Sequence, residues 1–331
     1  MNKLLAKLHF DRKYLPLTVT IGLFLLMFLA ASLKYRGFFS LQVFFNLLID
    51  NAFLLISAIG TTFVILSGGI DLSVGAIVAL TSMVSAWMME ELQISPVLTI
   101  LTVLLMGTLF GAGMGTMIQY FKIAPFIATL AGMFLARGLC FVISVDAITI
   151  NNPLYKAISK FRLKFPDGSF LSINVVIAFV VFAIAIYLAH YTRFGRTVYA
   201  IGGNEQSARL MGLPVPRTKV LIYTLNGFCS ALAGVVFSFY VLSGYGLYVN
   251  SMEMDVISSV VIGGTLLTGG VGYVVGTIFG VLIQGMIQTI IMFDGTLNSW
   301  WTKIVVGILT LVFILMQRAL SSLRTDKTHQ A

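Results

Sequence analysis

Apolar positions in this chain fall into long unbroken runs, without the mixed faces of soluble helices. Residues 14 to 33, 92 to 121, 168 to 192 and 220 to 252 contain no charged side chain. A helix of about 20 apolar residues crosses the roughly 30 Å of hydrocarbon in a bilayer, so each run is long enough to span one. The pattern predicts spans at 14 to 33, 41 to 66, 73 to 89, 93 to 121, 124 to 145, 169 to 189, 220 to 243, 256 to 270, 272 to 292 and 300 to 317. The expected fold is an all-α, polytopic membrane protein of about ten transmembrane helices, with short or broken helices among them, forming a single transmembrane domain over residues 1 to 331. Pro125 suits the first turn of a helix, where its missing N–H is not needed.

Composition agrees. Of 331 residues, 58% are hydrophobic and only 10% charged, and mean hydropathy is +0.98. So few charges cannot cover a soluble globule of this size. The net charge of +9 does not point to nucleic acid, because the bases are scattered among short inter-helix segments and form no long basic face. Cys140 and Cys229 lie in apolar runs as small packing residues, with no disulfide framework and no metal-ligand spacing. His9, His190 and His329 fall outside the spans, which argues against a haem or a histidine proton relay. The basic start followed by Pro16 to Leu33 is long for a signal core and reads as a retained first helix.

Charge placement sets an orientation. With the N-terminus inside and ten crossings, both termini are cytoplasmic, and the inside segments collect thirteen bases against four acids, while the outside segments hold seven of each. The basic excess therefore lies on the cytoplasmic side. The segment 146 to 168 becomes a periplasmic loop despite its four bases, and 190 to 219 a cytoplasmic loop. Asp50 and Arg137 are the only charges well inside spans. Asp50 either reaches water near a boundary or bonds to another helix, and Arg137 either snorkels or pairs with a carboxylate or a helix C-terminus.

Three groups of residues are candidates for function. Leu66-Ser67-Gly68-Gly69-Ile70-Asp71 and Leu267-Thr268-Gly269-Gly270-Val271-Gly272 share a pattern, each with a further glycine at Gly75 or Gly276. Glycine-interrupted segments in two halves of a transporter can mark internal repeats around a pathway. Asp71, reaching Val74, or Ser73, reaching Gly75 or Ala76, can cap the following helix. In the cytoplasmic loop, Glu205 to Met211 forms a short helix with Asn204 as cap and Gly212 as terminator. Its Ala208, Leu210 and Met211, next to Arg209, make a small apolar surface for the membrane interface or a partner subunit. The third group is polar and uncharged: Asn51, Thr61, Thr129 and Asn226, with Phe63 and Phe126. Amides, hydroxyls and aromatic faces suit weak binding of a neutral sugar, and equally suit ordinary helix packing. The chain has no Gly-x-x-x-x-Gly-Lys-Ser/Thr phosphate loop and no span lined with carboxylates, so it carries no evident energy source.

The run Gly60-Thr-Thr-Phe-Val-Ile-Leu-Ser-Gly-Gly-Ile-Asp-Leu-Ser-Val-Gly75 resembles the signature of the ribose/xylose/arabinose-type permeases of bacterial binding-protein-dependent ABC importers. Lys122 to Gly132, Arg193 to Arg196, Ala200 to Asn204, Ala208 to Gly212 and Val261 to Thr265 with Gly269-Gly270 extend the likeness over roughly residues 40 to 317. Gly68, Gly69, Asp71, Ser73, Gly75, Gly269 and Gly270 are the structural signature. The resemblance implies an inner-membrane subunit that pairs with a second homologous permease, a cytoplasmic ABC ATP-binding subunit and a periplasmic sugar-binding protein. ATP and Mg would sit on the partner ATPase, with no cofactor or metal on this chain and no catalytic residue. It further implies that Asn204, Glu205, Ala208, Arg209, Leu210, Met211 and Gly212 meet that ATPase. Within the family, the sequence as a whole, including Asp294 to Leu297 and Trp300 to Lys303, most resembles permeases of galactofuranose uptake systems. An ion-coupled or passive small-solute carrier or channel is the alternative. A membrane enzyme fits poorly, since no catalytic cluster can be assembled.

Overall fold

The computed structural model describes residues 15–296, 298 and 300–328. The N-terminal bases, His9, Leu297 and His329 lie outside the described residues. Helices dominate, in the order α1 (Leu15–Lys34), α2 (Leu41–Asp50), α3 (Ala52–Leu66), α4 (Val74–Glu90), α5 (Pro96–Tyr120) and α6 (Pro125–Ile143). After β1 (Ile148–Thr149), α7 (Pro153–Ser159), β2 (Arg162–Lys164) and β3 (Phe170–Ser172) come α8 (Ile173–Tyr191), α9 (Arg193–Gly203), α10 (Glu205–Leu210) and α11 (Val215–Val241). The chain ends in β4 (Ser243–Gly244), α12 (Met252–Ile262), α13 (Val274–Asp294) and α14 (Trp300–Thr328).

Among the described residues, seven helices are long and apolar enough to cross a bilayer: α1, α5, α6, α8, α11, α13 and α14. The pair α2 and α3, bent by 56° at Asn51, makes an eighth if it is one span. The expected ten are therefore corrected to seven or eight. The difference lies at 73 to 89 and 256 to 270, which fold as α4, of 17 residues, and α12, of 11. At 1.5 Å per residue these reach only about 25 Å and about 16 Å. Both are largely buried among other helices, so neither meets the length demand that lipid imposes.

α3, α4, α11 and α13 form the interior, and α1, α5, α6, α8 and α14 turn broad apolar faces outward. Small residues set the close crossings. Gly107, Gly111 and Gly115 recur every fourth residue on α5 and face Ala231, Gly227, Tyr223 and Val220 of α11, where a Cβ on Gly111 would overlap the Tyr223 carbonyl. In a bilayer, where burial of apolar surface drives little association, such backbone proximity supplies much of the packing energy.

The segment 146 to 168, expected as a loop, holds small elements. β1 pairs antiparallel with β4, with Ile148 opposite Gly244, and β2 pairs antiparallel with β3. Tyr155 of α7 is fully buried, its hydroxyl 2.5 Å from that of Ser238 on α11. Glu90, at the end of α4, accepts hydrogen bonds from the Asn151 and Asn152 amides. The segment is thus tied to the same end of α4 and α11.

Candidate functional site

The two glycine-rich stretches that echo each other in sequence meet in space. Gly270 donates its amide to the Leu66 carbonyl at 2.8 Å. A Cβ on Gly269 would fall 2.7 Å from the Gly68 nitrogen, and one on Gly202 of α9 would overlap both the Leu66 carbonyl and the Gly270 amide. Three backbones therefore touch with no side chain between them. Gly68, Gly269 and Gly270 hold φ of +79°, +84° and +75°, which glycine adopts without steric cost.

α9 and α10 stand on this junction. Thr192 caps α9 by accepting from the Gly195 amide, and Tyr199 donates its hydroxyl to the Gly272 carbonyl at 2.9 Å. Asn204 caps α10, its Oδ1 accepting from the Ser207 amide at 2.8 Å, and Gly212 ends it at φ +76°. Glu205 binds Lys219 of α11 at 2.6 Å and lies 3.5 Å from Arg209. Ala208 is fully buried against Ile201 and Val215, so it does not share the exposed surface expected of it. A six-residue helix has one face for the protein, and the methyl group fits there. Leu210 and Met211 remain 82% and 68% exposed, an apolar tip flanked by Arg209.

Neither expected cap of α4 forms. The Asp71 carboxylate accepts from the Ser73 amide and hydroxyl at 2.8 and 2.6 Å, and Ser73 makes no side-chain bond to the helix. The other carboxylate oxygen accepts from the Asn226 amide of α11 at 2.8 Å, and the Asn226 oxygen accepts from Thr61 of α3 at 3.3 Å. Asp71 is 1% exposed, and no ion pair reaches it among the described residues. A buried carboxylate without a cation depends on such bonds, each worth about 1.5–3 kcal/mol. The network therefore ties the glycine turn to α3 and α11. Gly75 lies against Met252 and the Glu253 carboxylate.

The six expected pathway residues do not converge. Thr61 and Asn226 meet in the network just described. Asn51 donates to the Leu47 carbonyl at the α2–α3 bend and packs on Gly285. Thr129 bonds back to the Pro125 carbonyl, and Phe126 is exposed on α6. Phe63 packs on Phe194 and lines a crevice with Ile59, Leu188 and Phe228 that presents no polar surface. Sequence reasoning missed Arg137 as an organiser. It pairs with neither a carboxylate nor a helix end but donates to the carbonyls of Gly246, Tyr248 and Val249 at 2.5, 2.8 and 3.2 Å. Asp50 takes the inter-helix option, accepting from the Tyr240 hydroxyl at 3.1 Å. Cys140 and Cys229 are free and buried.

Helices that cross at backbone distance, wrapped in apolar faces of membrane-spanning length, define a multi-pass membrane protein. Residues 43–314 match the family described as branched-chain amino acid transport system / permease component, and the chain belongs to that family. It is 52% identical over 312 residues to the inner membrane ABC transporter permease protein YjfF of Escherichia coli (strain K12), covering 94% of each chain. It is 39% identical over 323 residues to the fructose import permease protein FruG of Bifidobacterium longum (strain NCC 2705), covering 96% of this chain and 94% of that one. To the ribose import permease protein RbsC of Bacillus subtilis (strain 168) it is 40% identical over 322 residues, covering 96% and 97%. No solved structure matches the chain. It is a permease-type subunit of an ABC importer and not itself an enzyme.

Proposed function

We propose that the chain is one half of a membrane gate that imports a monosaccharide, galactofuranose, driven by ATP hydrolysed on a separate cytoplasmic subunit. Relatives named for ribose and fructose import align over nearly their whole length, which favours a sugar over the amino acids in the family's description. None of the three relatives compared above is named for galactofuranose. That choice rests on the resemblance of the sequence as a whole, including Asp294 to Leu297 and Trp300 to Lys303. The second homologous permease and a periplasmic binding protein complete the pathway.

The observation that carries the coupling role is the tip of α10. Leu210 and Met211 are exposed beyond the helical bundle, while the helix beneath them is clamped by Ala208, the Lys219–Glu205 ion pair and the glycine junction. An exposed apolar tip on a rigid base suits insertion into a groove of a partner. The resemblance to importer permeases makes Asn204 to Gly212 the cytoplasmic segment that meets the ATPase, so that partner is the ATPase. Uptake of labelled galactofuranose by cells carrying the whole transporter tests the reading. Unlabelled galactofuranose should compete most strongly, ribose and fructose less, and leucine not at all. Uptake that survives deletion of the ATPase, or that leucine suppresses, overturns it.

A further inference from the structure

Between α11 and α12 the backbone leaves helical geometry deep inside the molecule. Gly244 packs on the Ser82 carbonyl of α4, and the Val249 carbonyl and Met252 lie against Gly75, so the segment runs back along α4 to its first turn. That turn stands near the middle of α11, because the Asp71 carboxylate just before it is bonded to Asn226, the twelfth residue of Val215–Val241. Irregular backbone at such depth is tolerated where it is enclosed by protein or lines a cavity, and not where it faces acyl chains. On its inner side Arg137 satisfies three of its carbonyls. On its outer side Asn250 and Ser251 are exposed, between the exposed side chains of Leu247 and Met254. Tyr245 and Tyr248 stand edge to face beside them at 5.5 Å. Val249 and Ser251 hold φ of +48° and +64°, conformations that cluster at functional segments because the surrounding structure must enforce them.

We propose that the exposed face of residues 247–254 lines the water-filled pathway, with Asn250 and Ser251 as hydrogen-bonding partners of a passing polyhydroxy solute. The assignment rests on the permease reading above and adds to it the residues that meet the solute. Amide and hydroxyl groups at mid-depth have no partner in hydrocarbon, whereas a neutral sugar and its water offer both donors and acceptors.

Asn250→Cys and Ser251→Cys in the complete transporter test it with a membrane-impermeant thiosulfonate, since both native thiols are buried. Both positions should react roughly tenfold faster than Leu105→Cys on the outward apolar face of α5, where lipid excludes the reagent. Transported sugar should slow that reaction, and Asn250→Ala should raise KM roughly fivefold with kcat unchanged, the loss expected for one hydrogen bond made equally throughout binding. Thiols as inert as the α5 control would mean that lipid or another chain covers the face, and would overturn the proposal. Rapid reaction with neither protection by sugar nor a change in KM would overturn the solute contact. Wild-type uptake in the same cells tests the permease reading separately.

Discussion

The glycine junction beneath α10 and the irregular segment between α11 and α12 solve the same problem in opposite ways. Both depart from helical geometry among apolar helices, and both use positive φ. At the junction the departures fall on Gly68, Gly269 and Gly270, the Gly270 amide bonds the Leu66 carbonyl directly, and Gly202 packs against both. In the irregular segment they fall on Leu242, Val249 and Ser251, and one guanidinium holds three carbonyls. The first is unstrained and permits no side chain. The second is strained and depends on a clamp. A rigid base is what a lever needs to pass on a push, and a clamped, strained strap is what a pathway wall needs in order to move.

The contrast can be broken from either side. Gly202→Ala places a Cβ on two backbone atoms that cannot yield, and should cost about 3 kcal/mol or more, read as a collapse of the thermal midpoint in detergent. Asn226→Leu removes one bond to a buried carboxylate and should cost about 2 kcal/mol in the same measurement. Arg137→Leu should cost about 1–3 kcal/mol, but locally. Hydrogen exchange should rise sharply across 243–251 while the junction stays protected, and a uniform rise would erase the distinction. Ser251→Gly relieves a left-handed serine and should stabilise by less than about 1 kcal/mol. Destabilisation there would show that the segment is not strained.

Much of the junction was legible in the sequence, because glycine pairs, a capping asparagine and a terminating glycine act locally. The matching runs at 66–71 and 267–272 pointed to each other, and α10 falls where Asn204 and Gly212 place it. The irregular segment was legible only at its start. The span expected at 220 to 243 ends within two residues of Val241, where α11 stops, but nothing in the uncharged run to 252 shows that the chain turns back along α4 or that α12 spans only 11 residues. Its donor, Arg137, lies more than 100 residues away. Asp71 misled for a related reason: the Asp-Leu-Ser sequence suits a cap, but its partner Asn226 is 155 residues distant. Ala208 looked like exposed apolar surface because six residues cannot show which face of a helix is covered. Long helices were found wherever lipid dictates length, and the two short ones were overextended because other helices shield them from it.

The central claim is that α10 transmits the motor's work through Leu210 and Met211. Leu210→Asp with Met211→Asp alters only exposed side chains, so the thermal midpoint of the purified permease should correspond to a change of less than about 0.5 kcal/mol. The direct measurement is co-purification of the ATPase with this variant in mild detergent, alongside sugar uptake in the cells from which it came. The account predicts an inserted permease that has lost both the ATPase and uptake. A variant that retains the ATPase and transports at the wild-type rate would contradict it.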